Sequence, residues 1–276
     1  MKDSLWQPTK FLSYIETIGS SSRTAIVRTD AGLAYLKAIN NPQSPHVLAC
    51  DWIGTKLAWR FGLQVFDMAI LELEEGDEIP LDRNTKAEIG PALVARGEKG
   101  EPLLGPSTLS FVQNINDIPR LIVFDTWVRN CDRYRPAGEG EPERINPDNL
   151  FLSEEGADAG KFILKAIDHG HIFSCGKPLD RNLANIANVK DERLYGLYPF
   201  FRPYVTIDRI ARIASEEMSD VRADLWEDLI NSVPAAWQVS SEAKLAISGF
   251  LLERARFLAD NIEAMARKAL ALESDE

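Results

Sequence analysis

Three segments decide how this chain folds: Ile122–Tyr134 (IVFDTWVRNCDRY), Ile145–Leu152 (INPDNLFL) and Phe162–Phe173 (FILKAIDHGHIF). Each sets one polar side chain, Asp132, Asn149 or Asp168, against the end of an apolar run. Oxygen donors held at the ends of packed elements suit a magnesium ion, which takes one or two side chains and completes its octahedron with phosphate oxygens and water. A carboxylate beside such an ion can accept the proton of an attacking hydroxyl.

The order Asn130-Cys131-Asp132-Arg133, then Asn149-Leu150-Phe151, then Ile167-Asp168-His169-Gly170 resembles the catalytic core of the HipA-like kinases. More distantly it is similar to the phosphatidylinositol 3- and 4-kinases; both belong to the protein-kinase-like superfamily. The resemblance implies a bilobal α+β fold, with a small β-rich N-lobe over residues 1–78 and a mainly helical C-lobe over 79–276. It implies ATP and Mg²⁺ as cofactors and transfer of the γ-phosphoryl group to a hydroxyl, that of a protein Ser or Thr, the chain's own included. It also leaves room for an antitoxin-like or regulatory partner. Carried over residue by residue, Asp132 orients the acceptor, Asn149 and Asp168 bind metal, and Asp168-His169-Gly170 takes the place of the Asp-Phe-Gly triplet. The chain departs from the pattern between Asp132 and Asn149. A short gap is usual there, whereas Arg133 to Asp148 intervenes here. We read this as a loop insertion, which costs little closure entropy. Asn146 competes with Asn149 for the metal role, but Leu150-Phe151-Leu152 follows Asn149 directly, as a short strand should.

Upstream, an apolar stripe over Phe11–Gly19 leads into Gly19-Ser20-Ser21-Ser22, ahead of strands expected over Thr24–Arg28 and Leu33–Ile39. Such a small-residue loop can bring backbone N–H groups close to phosphate oxygens; by itself it is an ordinary turn. Lys37 is either the solvent-facing member of an alternating strand or, as the resemblance implies, the strand lysine that contacts ATP phosphates. Apolar residues at helical spacing predict a helix over His46–Phe61, stopped by Gly62. Asp51 on that helix matches the acid that pairs with the lysine. Glu is usual there, and Asp is one methylene shorter. A third strand is expected within Val65–Leu73, with Glu74–Glu78 or a later stretch as the candidate hinge and Pro80–Pro119 as a lid or substrate-facing loop.

Asp117 reads as the N-cap of a helix through Asn130, which would place Asp132 at a supported terminus. On that helix Asp125 is either a buried acid that holds the catalytic loop or an exposed residue, and Arg133 is a candidate anchor for the loop. His169 is expected to pack inward and not to pair with His171 on a metal. After a strand over Phe162–Ile167, the chain reads as helices over Ile207–Met218, Val221–Ile230 and Ser241–Leu272. Strands first and helices last fit an α+β domain.

A chain of 276 residues, 45% hydrophobic, has ample core for this plan. Its net charge of −11 argues against a broad nucleic-acid-binding face. Without a signal peptide or membrane span, a cytoplasmic protein is expected. Cys50, Cys131 and Cys175 show no close pairing, so each reads as a reduced thiol in or near the core. Two other functions stay open at this level: a nucleotide-binding pseudokinase or partner-binding module, and a small-molecule or lipid kinase.

Overall fold

The computed structural model describes residues 6–138, 140–219 and 221–271. Leu272, named above as a helix end, lies outside them. Three strands open the fold: β1 (Phe11–Thr17), β2 (Ala25–Thr29) and β3 (Gly32–Lys37). Helix α1 (Pro45–Arg60) follows, with Ser44 capping its first turn and Pro45 pre-set at its start. β4 (Met68–Leu73) and β5 (Gly90–Arg96) complete an antiparallel sheet in the order β1-β2-β3-β5-β4.

Period-two alternation splits this sheet into two faces. Val27, Ala34, Leu36, Leu71 and Val94 bury into a small outer core. Ile26, Tyr35, Lys37, Met68 and Leu93 face the other way and line a cleft. The register agrees: Leu36 lies opposite Val94, and Lys37 opposite Leu93. Lys37 therefore points into the cleft and not into bulk solvent.

The sheet runs past the lobe boundary expected after residue 78, because β5 is inserted between β3 and β4. Glu74–Glu78 lies within the β4–β5 connection and is no hinge. The chain leaves the sheet after Arg96 and pairs β6 (Gly100–Pro102) with a second sheet. Gly100 (φ +153) is required at this crossing, since a Cβ there would stand 2.1 Å from the Leu152 carbonyl oxygen.

Helix α2 (Ile118–Val128) is buried along nearly its whole length. Asp117 stands at its N-cap position, as expected, but its side chain makes no cap bond: a 3-10 turn over Ile115–Asp117 runs into the helix, and the carboxylate accepts from the Asn114 amide. The insertion forms a hairpin of β7 (Tyr134–Arg135) and β8 (Arg144–Ile145). β9 (Leu150–Ser153) and β10 (Ile163–Ala166) complete the second sheet, in the order β10-β9-β6. Then come α3 (Ile186–Val189), α4 (Ile207–Met218), α5 (Glu227–Asn231) and α6 (Ser241–Ala271). The helix expected over Val221–Ile230 is split at Trp226, whose buried indole N–H donates to Ser248 on α6. The larger core joins these helices to α1, α2 and the second sheet. No helix among the described residues is long and apolar enough to cross a membrane.

One expectation fails at the cysteines. Cys131 and Cys175 form a disulfide, with Cα atoms 5.6 Å apart. The chain reversal at Arg129 (φ 51) and the turn at Phe173 and Cys175 (φ 65 and 55) bring together two residues 44 positions apart. Spacing alone could not reveal that pairing. Cys50 stays a free, buried thiol, and burial pushes its pKa up.

Candidate active site

The cleft between the two sheets has a volume of about 540 Å³. One end is apolar, with Ile26, Phe66, Met68 and Phe151 among its walls; Lys37, Asp51, Asn149 and Asp168 line the other. The loop between β1 and β2 roofs it. Gly19 and Ser20 line the cleft. Ser21 reaches Gln43, and Ser22 is buried with its hydroxyl 3.0 Å from that of Thr24, so neither of these two faces the cleft as Gly19 and Ser20 do.

Lys37 joins the lobes. Its Nζ lies 2.8 Å from Asp51 Oδ2 and 3.0 Å from Asp168 Oδ1. Burial alone would drive the ammonium to lose its proton, but the carboxylates of Asp168 and Asp51 outweigh it and raise the lysine pKa. Burial pulls the Asp168 pKa upward, and Lys37 overrides it, so the carboxyl is held below its ordinary range. Asp51 reaches the lysine despite its short side chain because α1 packs close to the turn after β10. A Cβ at Gly54, three residues on, would stand 2.5 Å from that of His169. Asp51 Oδ1 accepts the His169 backbone N–H at 2.9 Å, which fixes the carboxylate on both oxygens.

Asp168 adopts φ 51, a backbone state uncommon for a residue with a Cβ and concentrated at functional sites. The turn is held from below. Arg133, fully buried, donates to the carbonyls of Asn149 (3.2 Å) and Ile167 (2.9 Å) and pairs with Asp125 on α2. The expected anchoring of the catalytic loop is thus present in the fold, with Asp125 buried. Burial raises the Asp125 pKa, and Arg133 opposes it. His169 packs inward, its ring edge-on to Phe124. Arg133 can only donate, so His169 Nε2 accepts and Nδ1–H points at Thr55 Oγ1, 3.0 Å away. Burial and then Arg133 hold this imidazole well below its usual pKa, and it is neutral.

Asp132 follows the α2 terminus. Its Oδ2 accepts the Asn149 side-chain N–H at 2.8 Å, and Arg144 from the inserted hairpin forms an ion pair with Oδ1. A carboxylate only accepts, so the Asn149 amide nitrogen faces Asp132 and its carbonyl oxygen is left for a cation. Asp168 Oδ1 serves Lys37 and the Gly170 N–H, and 38% of the side chain stays exposed. These two oxygen donors fit magnesium completed by phosphates and water. The described residues hold no group of three or more His, Cys, Asp or Glu that could bind a metal alone. Asn146 supports from behind through its backbone, bonded to Arg133 and Tyr198.

The family model for HipA-like kinases matches residues 19–264. The chain belongs to the HipA-like kinase family. Among solved structures, the Helicobacter pylori proinflammatory kinase CtkA aligns with a TM-score of 0.59 and 11% identity, covering 94% of this chain and 96% of that one. That likeness speaks to the fold. No curated protein matches.

Two residues of this HipA-like kinase lie at the site without having been expected there. The Gln43 amide donates to Ser21 Oγ and stands 3.0 Å from His171 Nε2, and thus bridges the roof loop to the C-lobe. Because an amide NH₂ only donates, the proton of a neutral His171 is on Nδ1, which lies 3.9 Å from Asp132. Arg144 is the second. Gln43 approaches from a loop and Arg144 from the short strand β8, and only long-range packing brings either to the site.

Proposed function

We propose that this kinase is ATP- and Mg²⁺-dependent and passes the γ-phosphoryl group to a protein Ser or Thr hydroxyl, its own included. The observation that carries the reading is the Lys37 ammonium held between Asp51 and Asp168 in the same cleft as the Asn149–Asp132 pair. In it Lys37 and the Gly19–Ser20 backbone bind phosphates, while Asp51 and Ser21–Ser22 shape the elements that carry them. Asn149 and Asp168 offer oxygens to Mg²⁺, which when bound neutralises charge on the phosphates. Asp132 orients the acceptor hydroxyl and takes its proton. The apolar end of the cleft suits an adenine ring. A cleft of this volume lies within the range usual for ligand sites. Catalysis of this kind is mostly positioning plus electrostatic stabilisation, and a site braced by a buried arginine is built for both. A cytoplasmic setting goes with this reading.

The test is incubation with γ-labelled ATP and Mg²⁺, alone and with candidate proteins, followed by phosphosite mapping. Label on Ser or Thr supports the proposal. Nucleotide binding without transfer to any acceptor would turn it into a nucleotide-binding module, and label on lipid or a small molecule would replace the substrate class.

A further inference from the structure

The inserted hairpin between Asp132 and Asn149 is more than a tolerated loop. Its base is fastened to the C-lobe at several points. The Tyr134 ring is buried against Tyr198, with centroids 5.5 Å apart. Tyr134 Oη donates to Glu143 at 2.9 Å, and Arg193 donates to Glu141 at 2.7 Å. Backbone bonds from Asn146 to Arg133 and from Gly196 to Tyr134 close the base. A hairpin fastened this way presents its side chains at fixed points, as a preorganised site requires.

What it presents is Arg144. The guanidinium ion-pairs with Asp132 Oδ1, while 51% of its side chain remains exposed. A carboxylate oxygen has more than one lone pair, so Asp132 Oδ1 can hold this ion pair and still take a hydroxyl proton. The other nearby cations are committed. Lys37 is held by two carboxylates, and Arg133 is sealed against Asp125 and two carbonyls. A phosphoryl group in transfer carries charge on its equatorial oxygens, and an arginine supplied to it is worth orders of magnitude in rate. Arg144 pairs with Asp132 while half of its side chain stays exposed, so its outer N–H groups can turn toward such oxygens.

We infer that Arg144 is a catalytic residue of the phosphoryl transfer, delivered by the insertion. The inference rests on the kinase reading above. In the step, the acceptor oxygen forms a bond to the γ-phosphorus and its proton passes to Asp132. The bond to the β,γ-bridging oxygen breaks, and its electron pair leaves with ADP. Arg144 neutralises the oxygens of the moving group.

The experiment compares transfer from γ-labelled ATP by the full chain and by Arg144→Ala and Arg144→Lys. We expect Arg144→Ala to lose roughly 10³-fold in kcat, with the KM for ATP within about threefold of the parent. Added guanidinium should restore part of the rate to Arg144→Ala and none to the parent, which a purely structural role would not produce. Arg144→Lys should fall between. Unchanged or faster turnover in Arg144→Ala overturns the inference; faster turnover would make the ion pair a restraint on Asp132. A matching loss of rate and of nucleotide-induced melting shift, without rescue, overturns it too. If the parent transfers nothing to any acceptor, the kinase reading itself fails, and that result is separate because it is read before any Arg144 variant.

Discussion

Lys37 Nζ and Asp168 Oδ1 meet at 3.0 Å although 131 residues separate them. The contact ties the N-lobe sheet to the turn after β10, and Asp51 on α1 makes it a three-way junction. A phosphate arriving at this point meets a cation already in place and already charged, since its two carboxylates raise the lysine pKa against burial.

Replacing Lys37 with Met should therefore weaken ATP binding by roughly 10–100-fold, the worth of one charge-assisted hydrogen bond. Calorimetric titration with ATP measures it. Unaltered affinity would remove Lys37 from the phosphate site.

Arg133 holds the floor of the site. Arg133→Met leaves Asp125 as a buried charge without its cation, which should cost roughly 3–5 kcal/mol of folding stability. Urea unfolding followed by circular dichroism would show the loss as a lower midpoint at an unchanged slope. Arg133→Met with Asp125→Leu should recover much of it, because no lone charge remains buried.

The motif, the strand lysine and helix α1 were legible because each depends on local order: a run, a spacing, a stop signal. α1 ends at Arg60, just before Gly62. The lobe boundary was not legible, because β5 enters the sheet between strands that precede it in the chain. Nor was the closeness of α1 to His169, which depends on the missing side chain of Gly54. The reach of Arg144 and the Cys131–Cys175 bond belong to the same class: contacts between segments that are remote or irregular in sequence.

The disulfide predicts a thiol count. Denatured without reductant, the protein should show one reactive thiol, Cys50, and after reduction three. Closing a loop across 44 residues is worth roughly 4 kcal/mol in the chain-entropy account. Reduction, or Cys175→Ser, should lower stability by up to about that much. In a reducing cytoplasm the bond would tend to open. Three thiols in the unreduced protein would contradict the bond.

His169 sets a pH dependence. It is neutral when folded, its pKa well below 6.5, whereas the unfolded chain takes up a proton near 6.5. Its contribution to stability is therefore complete above that pH and declines as pH falls below it, by up to about 1.4 kcal/mol per pH unit. Comparing the chain with His169→Gln at about pH 7.5 and about pH 5.5 should show the gap in unfolding free energy narrowing in acid. An equal gap at both would mean that His169 takes up its proton as readily in the fold as in the unfolded chain. Asp168 acts in the same sense lower down, since its pKa is depressed from 3.8.

The central claim is that Asp132 governs transfer in a cleft that binds nucleotide without it. The direct measurement is incorporation of label from γ-labelled ATP and Mg²⁺ by the chain and by Asp132→Ala, with the nucleotide-induced melting shift of each. We predict label with the parent, none above background with the variant, and a similar melting shift for both. Equal labelling by the two proteins would contradict the account.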